Sequence, residues 1–147
     1  MPVQDFIGTY QGQMDVAYAG MPAESQIVRD VASKLITTAA VPFGLAVGAG
    51  ATDGSARLGG TGYLGITVAD KTRDADEYAV GEMAGVMRKG TIWVVADGAV
   101  TDTSVVTYTE ATGAVGAKAV AAGIVAIPGA KFETTASNGA LVRVYLG

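Results

Sequence analysis

The sequence predicts a mainly β fold, a small antiparallel β-sandwich or barrel-like domain with an irregular N-terminal arm. Three observations predict it. Two apolar runs, Val80–Met87 and Thr91–Ala96, flank Arg88-Lys89-Gly90, and a short polar link ending in glycine between such runs reads as a hairpin. Near the end, Lys131–Ala136 and Leu141–Leu146 are joined across Ser137-Asn138-Gly139; Asn-Gly is the strongest short hairpin signal. Elsewhere many short β-branched runs are separated by turn residues, a spacing that favours a sandwich or barrel over alternating βαβ units.

In chain order, residues 1–36 form the expected arm and 37–147 the β domain. Phe6, Ile7, Tyr10, Met14, Val16, Tyr18 and Met21 are spread among Gln, Gly and Asp with no sustained period. Large apolar groups on an irregular segment must cover a surface, either the chain's own core or a neighbour's. After Met21-Pro22, the run Ala23–Leu35 reads as a short helix, because Pro22 suits a first helical position and Ile27, Val31 and Leu35 repeat every four residues. The same residues also fit a strand.

From Val41 the texture becomes β: Val41–Val47 is an apolar run broken at Gly44, and Gly48–Gly62 is a glycine-rich loop. Leu64–Ala69 is a strand, Asp70–Glu77 a charged connection, and the central pair of runs follows. Within it Ile92 and Val94 share one face of the pleat and Trp93, the only tryptophan, takes the other. Ser104–Thr109 is the next strand; Lys118–Ile127 fits strand or helix and is stopped by Pro128-Gly129. In the last strand Val142, Val144 and Leu146 share one face, and Leu141, Arg143 and Tyr145 the other.

A chain of 147 residues suits one domain. Half its residues are hydrophobic, but many are alanine and 21 of the total are glycine. Such a core buries little area per residue, so part of the stabilisation is expected from association with other chains. A net charge of −4 with scattered basic residues argues against a phosphate-backbone binder, and no nucleic acid partner is expected. The absence of cysteine excludes disulfides and suits assembly in a reducing cytoplasm. The segment MPVQDF lacks a basic stretch leading into an apolar one, so no signal peptide is expected. No apolar run approaches the ~20 residues that span a bilayer, so no membrane partner is expected either.

Gly60-Thr61-Gly62-Tyr63-Leu64-Gly65 matches G-x-G-x-x-G, but Ile66-Thr67-Val68 follows, where a dinucleotide site needs a helix N-terminus. Turn and strand is the reading. Asp70, Asp74, Asp76 and Glu77 are the densest carboxylates, yet their spacing is not that of a calcium loop and Lys71 and Arg73 partly neutralise them. The chain has no histidine, which removes Ser-His-Asp triads, histidine metal sites and the usual acid–base group near neutral pH. No enzymatic activity, cofactor or metal is expected. Trp93 and the tyrosines Tyr63, Tyr78, Tyr108 and Tyr145 fall one per element, a pattern of core and interface filling more than of a stacking platform.

Together, several blocks resemble the structural cement, or head decoration, proteins of tailed bacteriophages. They are Gly20-Met21-Pro22-Ala23-Glu24-Ser25, Phe43-Gly44-Leu45-Ala46-Val47, Gly65-Ile66-Thr67-Val68, and Tyr78–Glu82 continuing through Gly90–Val94. The series closes with Ile127-Pro128-Gly129-Ala130-Lys131-Phe132-Glu133-Thr134 and the Leu141–Leu146 strand. The segment from Pro42 to Trp93 also resembles, distantly, the lambda-type decoration proteins. The resemblance implies a β-rich virion protein, assembled in the host cytoplasm, that binds the outside of the capsid shell and stabilises it. Its partners would be the major capsid protein and copies of itself, a homotrimer being favoured and a homodimer the alternative. Phe6, Tyr10, Tyr18 and Met21 are the expected interface anchors, since aromatic residues and methionine are enriched at interfaces; Trp93 is expected in the core or between subunits. The alternatives are another virion component, such as a head-fibre base or tail-tube subunit, and a carbohydrate-binding β-sandwich.

Overall fold

The computed structural model describes residues 17–23, 29–73 and 75–146. Among them there is no helix, and the strands are β1 (Asp30–Ile36), β2 (Val41–Pro42), β3 (Ala46–Ala49), β4 (Ser55–Leu58), β5 (Tyr63–Thr67), β6 (Glu77–Tyr78), β7 (Met83–Lys89), β8 (Thr91–Val95), β9 (Val105–Thr109), β10 (Val115–Gly116), β11 (Ile124–Phe132) and β12 (Leu141–Tyr145). The sequence's β-rich expectation holds. β1, β4, β3, β5 and β7 form a closed barrel in that order, and β10-β9-β11-β12-β8 form a second sheet, with β2 and β6 as a separate pair. The second sheet curls until Asp97, just past β8, bridges Gly116 of β10. Closure removes the edges of the barrel, whereas the second sheet remains open at β8.

The strands form where alternation and β-branched residues meet. In β8 and β12, Ile92, Val94, Val142 and Val144 are fully buried, while Trp93 and Arg143, opposite one another, point outward. Asn138-Gly139 closes the β11–β12 hairpin as expected: Gly139 has φ +82°, and the Asn138 side-chain oxygen accepts from the Gly98 amide at 3.0 Å. The main core gathers Val94, Val106, Tyr108, Phe132 and Val144 of the second sheet with Ala46, Ile66 and Met87 of the barrel. A second cluster, including Ile36, Val41, Phe43, Val47, Tyr78 and Val86, fills the barrel. The two β bodies therefore share apolar contacts.

Four expectations need correction. The segment assigned to the arm, with a helix over Ala23–Leu35 as one reading, contains β1, which pairs with both β7 and β4; residues 24–28 lie outside the described set. A spacing of four puts residues on one face of a helix, but four is also even, so Val31 and Leu35 share one face of a strand equally well. Secondly, β7 and β8 do not pair with each other. Both edges of β7 are taken, by β1 and β5, and β8 pairs with β12. Only Gly90 separates them, with φ +118°, fewer residues than a two-residue hairpin loop. Its carbonyl accepts from the Leu146 amide at 2.8 Å, and the chain passes there from one sheet to the other.

Thirdly, Pro128-Gly129 does not end a strand. It lies inside β11, where the register to β9 shifts between Ala126 and Lys131. Proline has no amide to donate and is tolerated where the ladder is interrupted. Fourthly, the glycine-rich stretch 48–62 is not all loop, since it contains β4, paired with β3 and, in parallel, with β1. Gly60–Gly65 is a turn entering β5, as the β-branched residues after it predict.

Candidate functional site

Residues 20–23 run along the free edge of β8. The Gly20 amide donates to the Trp93 carbonyl at 2.8 Å, the Trp93 amide to Met21 at 2.9 Å, and the Ala23 amide to Thr91 at 2.9 Å. Pro22 opposes Ile92 on the inner face. Alternation then sets Met21 beside Trp93 on the outer face. Two of the residues singled out by sequence are thus brought together. Trp93 is half-buried and belongs to neither core cluster. The Arg143 guanidinium stands 6.0 Å from its ring centroid and pairs with Glu133 at 3.1 Å. The same face continues through Val95, opposite Leu141, and Tyr145, opposite Thr91 and Lys131. Val95 and Tyr145 are exposed.

Tyr18 is exposed at the other end of this short segment, with the Lys71 ammonium 4.3 Å from its ring centroid, and Lys71 in turn pairs with Asp76 at 3.4 Å. Phe6 and Tyr10 lie outside the described residues. A second apolar patch was not singled out by sequence. Leu35 of β1 opposes Met83 of β7, and the Gly81 amide donates to the Ile36 carbonyl, drawing Val80 to the same end. Val80 and Met83 are 55% and 54% exposed. The sequence does not distinguish these outward valines, leucine and methionine from core residues, because their spacing is that of any amphipathic strand and the partner sheet decides which face meets water.

The carboxylates after β5 hold each other's partners. Arg73 pairs with Glu82 and, at 3.4 Å, with Asp70, and its guanidinium stands 4.5 Å from the Tyr78 ring centroid. Hydrogen bonds from the Thr72 hydroxyl and amide hold the Asp70 carboxyl below its usual range. The Ala79 amide and Arg73 do the same for Glu82. Among the described residues there is no group of three or more metal-ligating side chains. A depressed carboxylate stabilises the fold at pH values above its unfolded pKa, and the contribution is lost as pH falls through the folded one. Thermal stability is therefore expected to fall on acidification below the ordinary carboxylate range. Glu82→Gln should flatten that fall, which melting curves from neutral to acid pH would measure. Both carboxylates are exposed, so the slope is expected to be small and to shrink with salt.

What these surfaces present is apolar and aromatic contact area on two β faces. The sequence matches the family described as "Structural cement protein (E217 gp24/Pam3 gp6)" over residues 6–147. The chain belongs to this phage cement family. Cement proteins of this family are structural components of phages, associated with the capsid. Among solved structures, the cement chain resembles a chain in the capsid of Myoviridae phage XM1, with TM-score 0.76 and 15% identity, covering 95% of this chain and 96% of that one. It also resembles the head fiber gp8.5 N base of bacteriophage phi29, with TM-score 0.51 and 10% identity, covering 82% of this chain and 95% of that one. At these identities the likeness is one of fold. No curated protein matches the sequence.

Proposed function

We propose that this cement chain binds the outside of the expanded phage capsid and stabilises the shell, without catalytic activity of its own. The family match carries this reading, because it runs from residue 6 through both β bodies and leaves little of the chain for another task. The two outward apolar faces support it, since they offer contact area that the described residues do not cover. A site on the shell would bury on the order of 1,000 Å² or more per chain, as specific interfaces do. Binding the assembled shell but not free capsid subunits shifts the equilibrium toward the shell, once per occupied site. Phe6, Tyr10, Tyr18 and Met21 are proposed as contact residues, with Trp93 behind Met21 as a rigid backing between subunits. The partners are the major capsid protein and sibling copies, as a homotrimer or, in the alternative, a homodimer, on virions assembled in the host cytoplasm.

The test uses expanded heads stripped of cement protein, with binding followed by co-sedimentation and position by gold labelling in electron micrographs. Full-length protein is expected on the exterior and should raise the temperature at which the heads release DNA. Deleting residues 1–16 is expected to weaken binding at least about tenfold, the ~1.4 kcal/mol or more that truncating a hot-spot residue removes. Unchanged affinity would remove Phe6 and Tyr10 from the contact set. Absence of the full-length protein from head exteriors would overturn the reading. The likeness to the phi29 head fiber base favours a second reading, a base that carries a fibre. In that case the labelled sites would each bear a projecting density beyond the chain's own mass.

A further inference from the structure

A cleft of about 350 Å³ opens between the turn after β1, strand β4 and the loop after β9. Thr38, Arg57, Gly60 and Glu110 line it. Gly60 is fixed in place: its amide donates to the Glu110 carbonyl at 2.7 Å, and its own carbonyl accepts from the Tyr108 hydroxyl at 2.9 Å. The Arg57 guanidinium lies where a side chain at this position would begin, because a Cβ on Gly60 would be 2.5 Å from its Nε and 2.9 Å from its Cζ. The guanidinium is therefore held against a backbone wall. Its Nε is buried and, among the described residues, has no hydrogen-bond partner. Among the described residues Arg57 makes no ion pair, even with Glu110 in the same cleft.

A second observation falls on the rim of the same cleft. Thr38 has φ +76°, and it is the single non-glycine with positive φ among the described residues. A β-branched residue is strained there. The turn that imposes the strain is tied down by the Thr37 amide on the Ala56 carbonyl and the Ala39 amide on the Thr37 carbonyl, each at 2.9 Å. Strain held in place by a surrounding framework is a mark of binding and switch sites.

We infer that this cleft is a receptor for a carboxylate side chain of a partner polypeptide, with Arg57 as the recognising group. A guanidinium offers five N–H donors in a planar fork that matches the two oxygens of a carboxylate. The fork is already oriented, so less ordering opposes the contact. Glu110 sets the charge of the ligand. Glu110 lines the same cleft, and its negative charge disfavours a multiply charged anion such as phosphate, whereas a single carboxylate carried on a polypeptide meets less repulsion. The inference stands on the geometry of the cleft and does not require the protein's place in the virion to be known.

The experiment is a titration of isotopically labelled full-length protein with N-acetyl-aspartate N-methylamide, against inorganic phosphate and sodium chloride at matched ionic strength. Saturable shifts are expected at the Arg57 side chain and at the Gly60 and Thr38 amides with the aspartate derivative. Arg57→Lys keeps the charge and loses the fork, so its affinity should fall about tenfold while its melting temperature stays where it was. Glu110→Gln leaves Arg57 untouched and should tighten binding several-fold, which keeps the test decisive if the Arg57 variant folds poorly. Shifts no larger than those of chloride, tighter binding of phosphate than of the aspartate derivative, an Arg57→Lys protein that binds as well as the parent, or no gain from Glu110→Gln would each overturn the assignment.

Discussion

Tyr108→Ala is expected to unfold the protein at temperatures where the parent is intact. Tyr108 is one of the largest fully buried side chains, at 1% exposure, and belongs to the cluster in which the second sheet meets the barrel. Its ring packs against Tyr63 with centroids 5.6 Å apart, and its hydroxyl ties β9 to Gly60. Removing a buried aromatic costs about 3–5 kcal/mol, and each kcal/mol moves the midpoint by about 2–4 °C in a chain of this size. A loss of roughly 10 °C is therefore expected by calorimetry. Tyr108→Phe isolates the hydrogen bond and should cost about 1 kcal/mol. The neighbouring hydroxyl gives the opposite sign. The Tyr63 oxygen is buried with no hydrogen-bond partner among the described residues, and burial, then the charge of Tyr108, pushes its pKa far up. Tyr63→Phe is expected to be neutral or stabilising, because it removes an unpaired polar atom. Equal losses for the two Phe variants would show that the Tyr108 hydrogen bond contributes nothing specific.

The second large effect is expected at Gly44, where the segment after residue 17 locks onto the barrel. Gly44 has φ +76°, and a Cβ there would lie 2.8 Å from the Gly20 amide nitrogen and 3.1 Å from the Ala19 Cβ. Gly20, itself at φ +79°, sits as tightly against Ala69 and Phe43 from the other side. The two glycines let the backbones approach closely enough for the Ala69 amide to reach the Gly20 carbonyl at 2.8 Å. Gly44→Ala adds left-handed strain of about 1–2 kcal/mol to a clash with backbone that cannot rotate away. A total of about 2–4 kcal/mol is expected. Gly81→Ala is the control, since φ is +91° there but a Cβ would meet open space, so only the conformational cost remains. Hydrogen exchange should speed up at Gly20, Ala23 and Trp93 in Gly44→Ala, whose amides hold the edge of β8, and stay slow in Gly81→Ala. Identical exchange in both variants would contradict the proposed lock.

Legibility of the sequence divided along physical lines. The terminal hairpin could be read because Asn138-Gly139 specifies its turn locally and Val142, Val144 and Leu146 mark its inner face within a few residues. The central pair could not. Arg88-Lys89-Gly90 has hairpin composition, yet a strand has two edges, and those of β7 were filled by β1 and β5. The proximity of Met21 to Trp93 was equally hidden, since it depends on an edge left open by β8 some seventy residues away along the chain. Arg57 gave no signal at all, because a lone arginine in a glycine-rich stretch acquires meaning only when Gly60 and Glu110 fold around it.

By itself, the sequence determined the β class, the faces of its clearest strands and the absence of histidine chemistry, all set by residue type and a period of two. Only the tertiary structure decided which strand pairs with which, that one sheet closes into a barrel and shares a core with the second, and which apolar faces the described residues leave uncovered. Alternation fixes that a strand has an inside and an outside. It carries no information about which distant strand supplies the hydrogen bonds, and that choice places every exposed surface of this protein.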